Sequence, residues 1–163
     1  MGEVTIIDKD GSTPAQIMAL QAMMLAAEGT TTDFDDVTTH HWAPGCYGRE
    51  IFMAEGTVVV GKIHKHAHLN ILLQGEVTVS TEFGNERFSA PRVWVSEPGT
   101  KRAVYNHTDT RWMTIHPTDE TDLEVIEEHD IAPTYEDYTL FVEETKRLSG
   151  PEPQENTICH GEQ

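Results

Sequence analysis

The sequence predicts a mainly β domain, an antiparallel sandwich or barrel with helices at its two ends. Seven short segments of strand character follow one another between residues 47 and 116, each closed off by turn-forming residues. Strands recurring at roughly 8–12-residue spacing pack as sandwiches or barrels. The 12 glycines and 8 prolines, with 37 % hydrophobic residues, suit a turn-rich domain better than a helical bundle. A chain of 163 residues is long enough for one domain with a real core and too short for two full ones.

The elements follow in order. Thr13 and Pro14 read as an N-cap followed by a proline in the first helical turn. Ile17, Met18, Leu20, Met23, Met24 and Leu25 then recur at helical spacing, and Gly29 is a stop. Residues 30–39 are polar and acidic and read as a connector. The strand segments are 47–54, 57–64, 69–73, 77–81, 92–95, 103–105 and 111–116, separated by turns at 55–56, 74–75, 83–85, 98–99 and 106–109. Residues 121–128 form a short helix, and Thr134 caps another that runs through Leu148 with Tyr138, Phe141, Val142, Thr145 and Leu148 on one face. Gly150-Pro151-Glu152-Pro153 ends regular structure. The expected division is an N-terminal helix and acidic connector over 1–39, the barrel over 40–118, a C-terminal helical segment over 119–150 and a flexible tail over 151–163.

The formal charge is −17, which argues against binding nucleic-acid phosphates or an anionic membrane surface. No apolar run approaches the ~20 residues of a membrane span, and no basic-then-apolar leader opens the sequence, so the expectation is a protein neither secreted nor membrane-inserted. Cys46 and Cys159 have no CxxC partner, which excludes a disulfide scaffold and makes a reduced, intracellular setting the simpler reading. Residues 1–48 carry net −6 and residues 112–163 net −12, whereas residues 49–111 carry eight bases, seven acids and four of the nine histidines. The cations thus coincide with the strand-rich segment.

Within it, Gly61-Lys62-Ile63-His64-Lys65-His66-Ala67-His68 is the most unusual stretch. In a regular strand Lys62, His64, His66 and His68 share one face, with alternate residues ~7 Å apart. Near the end of the strand segments, alternation places Trp112, Thr114 and His116 on one face; whether that face is interior is left open by the residues alone. His40, His41 and His107 sit in loop-like surroundings, Asn70 reads as a hydrogen-bonded structural amide, and Cys46 has no adjacent activating base.

The His-rich strand, the apolar strand ending in Gly75 and the Pro98-Gly99 turn together resemble a cupin domain. That resemblance implies a jelly-roll barrel with a metal at its mouth. Aligned on Gly75, His64 falls on the second histidine of the first cupin motif, Lys62 on the first histidine and His68 on the glutamate. In the second motif Gly99 and Asn106 match, Pro98 stands one position late and Arg102 replaces the histidine. A narrower similarity, carried by residues 41–51, Gly61-Lys62-Ile63-His64, His68-Leu69-Asn70-Ile71-Leu72, residues 98–102 and residues 114–123, is to cupin-like proteins encoded by tailed bacteriophages. It implies a phage source, hence the host cytoplasm or the virion, and no particular activity.

The substitutions change the expected chemistry. No acid occurs between Glu55 and Glu76. A cation held ~5 Å from a dication at an effective dielectric near 20 costs about 3 kcal/mol or more, so Lys62 and Arg102 oppose the metal of the family. The same residues suit an anion, because guanidinium pairs bidentately with carboxylate or phosphate and imidazoles add donors. The leading expectation is therefore a non-catalytic, phage-encoded protein with no cofactor, whose pocket of Lys62, His64, His68, Arg102, Thr114 and His116 binds a small anionic ligand. Two alternatives stand beside it. One is a virion structural or assembly protein that uses the barrel to pack against other phage proteins. The other is a metal-dependent isomerase or dioxygenase holding Zn, Fe, Mn or Ni through His64, His68 and His116. Open sheet edges and the apolar N-terminal helix predict a homo-oligomer in each case.

Overall fold

The computed structural model describes residues 5–8 and 13–149. Twelve strands are described: β1 Thr5–Asp8, β2 Thr38–Ala43, β3 Cys46–Met53, β4 Val58–Val60, β5 Ile63–His64, β6 His68–Gln74, β7 Glu76–Thr81, β8 Gly84–Ser89, β9 Arg92–Ser96, β10 Ala103–Asn106, β11 Thr110–His116 and β12 Ile131–Ala132. Three α-helices frame them: α1 Pro14–Leu25, α2 Leu123–Asp130 and α3 Tyr135–Ser149. The strands form two five-stranded sheets, ordered β1-β8-β7-β10-β4 and β2-β3-β11-β6-β9, with β12 and β5 as a separate pair. All pairings are antiparallel. This is the jelly-roll expected from the sequence, with helices at both ends.

Alternation along the second sheet determines what lies between the layers. At one end Ile51 and Met53 of β3, Leu72 of β6 and Trp112 of β11 pack against Val77, Val79, Phe88 and Val104 of the first sheet. Trp112 lies in register with both Ile51 and Leu72, so the three form one row across the core. Burying these side chains supplies most of the drive to bring the sheets together, about 1.5–3 kcal/mol for each large one. Further along the same face the residues become polar: Tyr47 and Arg49 on β3, His68 and Asn70 on β6, Thr114 and His116 on β11. All six line one cavity of about 460 Å³. The face carrying Trp112, Thr114 and His116 is thus the interior one.

Several expectations needed correction. The 57–64 segment is two strands, β4 and β5, and the regular alternation assumed for 62–68 breaks after His64, where the chain bends before β6 begins at His68. The supposed connector ends in a 3₁₀ turn, Asp35–Val37, and leads into β2, so His40 and His41 lie on a strand rather than a loop. β8, with the sequence GNERFS, is a strand in which Phe88 alone is buried. Helix α1 starts as predicted, with a reciprocal capping box between Thr13 and Gln16, but among its apolar residues Ile17 is the buried one. In α3 no residue is fully buried. The expected tail, with its Gly-Pro stop and Cys159, lies outside the described residues. Among the described residues no helix is long and apolar enough to cross a membrane.

Candidate functional site

The cavity opens at the polar end of the second sheet. β5 is held by pairing of His64 with Ile131 and of Ile63 with Ala132, which turns the His64 side chain into the cavity while Ile63 is buried. His68 and His116 enter from β6 and β11. The three rings form a cluster: centroids of His64 and His68 are 4.0 Å apart, and those of His116 lie 5.3 Å from His64 and 5.2 Å from His68. His116 offers Nε2 to Thr114 Oγ1 at 3.2 Å and Nδ1 to Asp130 Oδ2 at 3.0 Å. Tyr47 stacks on the outer side of His116 at 6.1 Å, and Trp42 stacks on Tyr47 at 4.4 Å. His40 hydrogen-bonds the Tyr47 hydroxyl at 2.7 Å.

Arg102 precedes β10 and reaches under the second sheet. Its Nη1 donates to Asn70 Oδ1 at 3.2 Å and its Nη2 to Ser96 Oγ at 2.5 Å. Asn70, with no exposed surface, also accepts from Trp112 Nε1 at 3.0 Å and donates to Ser96 Oγ at 2.6 Å. No carboxylate among the described residues forms an ion pair with Arg102. Burial lowers its pKa to about 10, which leaves it charged at neutral pH.

The electrostatics of the imidazoles follow from the same burial. Desolvation, reinforced by His68, His116 and Arg102, pushes His64 down to about 2. Desolvation also pushes His68 down to about 4, against a hydrogen bond from the ring to the His66 carbonyl. Both rings are neutral at physiological pH. Asp130 behaves oppositely: burial pushes it up, but bonds from His116 and His129 outweigh that and hold it at about 2.

Of the six pocket residues expected from sequence, His64, His68, Arg102, Thr114 and His116 converge on the inner wall. Lys62 lines the same cavity without reaching that wall. It stands at the rim, its side chain more than half exposed, and its ammonium pairs with Glu127 of α2. Lys101 is buried elsewhere, donating to the Gly61 carbonyl at 2.9 Å. Arg49 does face the cavity, beside Thr38. Asp33, Asp35, Glu127 and Asp130 also line it, so the positive character belongs to the floor around Arg102 and not to the cavity as a whole. Sequence reasoning did not find Asp130 or Tyr47. The only local signal for Asp130 was its position at the end of a helix beside His129.

Neutral imidazoles suit a metal, and His64 Nδ1 is buried with no hydrogen-bond partner among the described residues, but the donor atoms of the inner three are not drawn together around one point. Among the described residues, the metal-capable side chains whose donor atoms all come within 4.8 Å of one another are His66, His129 and Asp130, and the set His64, His68 and His116 is not gathered in this way. The buried guanidinium of Arg102 also lies close enough to disfavour positive charge on His64 and His68.

No protein-family model matches the sequence, and no curated protein matches it. Solved structures that resemble it are cupin-domain proteins. They include ectoine synthase from P. lautus, at 10% identity and a TM-score of 0.48 over 64% of this chain and 89% of that one. A cupin 2 domain-containing protein from Halorhodospira halophila gives 14% identity and a TM-score of 0.47 over 72% of this chain and 82% of that one. The cupin domain of Cnp3 from Schizosaccharomyces pombe gives 17% identity and a TM-score of 0.43 over 56% and 67%.

Proposed function

We propose that the cavity is a binding site for a small anion, a carboxylate or phosphate, and that the protein acts by binding rather than by catalysis. The observation that carries this reading is the Arg102 guanidinium, buried on the cavity floor, whose hydrogen bonds among the described residues go to the neutral groups of Asn70 and Ser96 and not to a carboxylate. A buried charge without a counter-ion costs several kcal/mol, which a bound anion offsets through charge-assisted hydrogen bonds. Neutral His64 and His68 stand beside it as donors, and the rings of Tyr47, His116 and Trp112 give a planar ligand flat surfaces to lie against.

The test is a thermal-shift and calorimetric panel of small carboxylates and phosphates on the full chain, in low-chloride buffer. At least one anion is expected to raise the melting temperature of the wild type and to lose at least tenfold in affinity in Arg102→Met. A melting temperature unmoved by every member, or unchanged affinity in Arg102→Met, overturns the reading.

A further inference from the structure

We propose that His66, His129 and Asp130 form a second, outward-facing site for a divalent transition-metal ion, with zinc the ion its donors suit best. The proposal stands independently of the anion reading. One donor atom from each of the three side chains lies within 4.8 Å of the other two. Two imidazoles and one carboxylate are a familiar donor set for zinc and neighbouring first-row metals, leaving further positions for water.

The backbone holds this arrangement. The bend after β5 is tied to the end of α2 by a bond from Lys65 N to the Asp130 carbonyl at 2.7 Å and by the pairing of His64 with Ile131. His66 is thereby placed over His129, with ring centroids 4.7 Å apart, while Phe141 of α3 meets its ring edge-on at 5.3 Å. Its Nε2 is buried with no hydrogen-bond partner, an unmet polar atom in a side chain otherwise packed between rings. A metal satisfies it.

Asp130 presents its two oxygens to different partners. Oδ1 lies 2.8 Å from His129 Nδ1 on the outer side, and Oδ2 lies 3.0 Å from His116 Nδ1 on the cavity side. The carboxylate is thus held from the cavity side by His116, which is not itself a ligand, as outer-shell partners orient metal-binding carboxylates. The opposing charge nearby is Lys65, whose ammonium is drawn away to the Glu128 carbonyl at 2.7 Å.

The experiment is a titration of the chelator-treated full chain with Co2+, read by ligand-field absorption, followed by zinc competition in a calorimeter. One equivalent is expected to bind. His129 is exposed, so His129→Ala should fold normally, as circular dichroism will show, and losing this ligand should weaken binding beyond the ~10–100-fold typical of an outer-shell partner. The double variant His64→Gln/His68→Gln should retain wild-type affinity. In the unmodified protein, proton NMR should show the His66 and His129 rings paramagnetically shifted by Co2+, which gives the assignment without any substitution. Absence of stoichiometric binding, retention in His129→Ala, or shifts confined to His64 and His68 overturns the proposal.

Discussion

Asn70 shows how a single amide joins the core to the cavity. Its oxygen accepts from Arg102 and Trp112 and its nitrogen donates to Ser96, with no surface exposed to water. Asn70→Ala leaves a guanidinium and an indole N–H without their acceptor, and unmet buried donors cost about 1–3 kcal/mol each. Urea denaturation should therefore show a loss of about 3 kcal/mol. Asn70→Asp keeps the acceptor and supplies Arg102 with a carboxylate. Near-wild-type stability together with loss of the anion response is expected there, and retained anion binding would show that Arg102 is not the anchor. Much of this constellation was legible in the sequence, because His68, Asn70, Thr114 and His116 obey simple strand alternation and Arg102 sits at a motif position next to a Pro-Gly turn. His66 leaves the face of His64 because the bend at residues 65–67 ends the alternation, whereas Lys62, which precedes β5, lines the cavity with its ammonium drawn to Glu127 of α2. Asp130 was invisible because its approach to His116 depends on the docking of α2, which no local pattern encodes.

At the scale of elements, the turn between β6 and β7 carries the chain from the second sheet to the first. Gly75 adopts φ +99°, and a Cβ there would meet Thr110 Oγ1 at 2.6 Å, the Asp109 carbonyl at 2.7 Å and Thr110 Cα at 2.9 Å. Two of these atoms are backbone, so the clash is not relieved by turning a side chain. Gly56, in the turn before β4, adopts φ +77° with nothing within 4 Å of the same position. Gly56→Ala should therefore cost only the conformational penalty of a left-handed non-glycine, about 1 kcal/mol, whereas Gly75→Ala should cost about 3 kcal/mol or more. Equal losses in chemical denaturation would refute the assignment of Gly75 as a close-approach position. Gly75 is also the residue on which the sequence could be aligned, and the turn-bounded strands around it were read with ends shifted by only one or two residues. β2 and β8 escaped that reading for a physical reason. Thr38–Ala43 and Gly84–Ser89 are polar, and among them only Phe88 is buried. Their stability comes from pairing with β3 and β7 and from contacts such as Arg87–Glu76 and His41–Glu50, so hydrophobic periodicity carries little trace of them.

For the molecule as a whole, two electrostatic effects compete as pH falls. The chain carries −17 in formal charge, and protonation relieves its self-repulsion, which favours the folded state. Against this, His64 and His68 are held below their ordinary value of 6.5, at about 2 and about 4, by burial. Above pH 6.5 they are neutral folded or unfolded and their contribution is complete. Below it the unfolded chain binds protons that the folded one excludes, so stability is lost progressively toward the folded-state values. His68 alone accounts for about 3 kcal/mol over that interval. Asp130, held at about 2 instead of 3.8, adds its own loss only below the latter value. Surface carboxylates remain largely ionised down to about pH 5, so relief of repulsion is small where the histidine term is already acting, and the buried imidazoles should win. The urea midpoint of the chelator-treated protein is expected to fall from pH 7 to pH 5 at both low and high salt, because added salt screens surface repulsion and leaves burial untouched. His68→Gln should flatten that slope. A midpoint that rises on acidification, or a fall abolished by salt, would mean that surface charge governs the acid response and that the imidazole cluster is solvated.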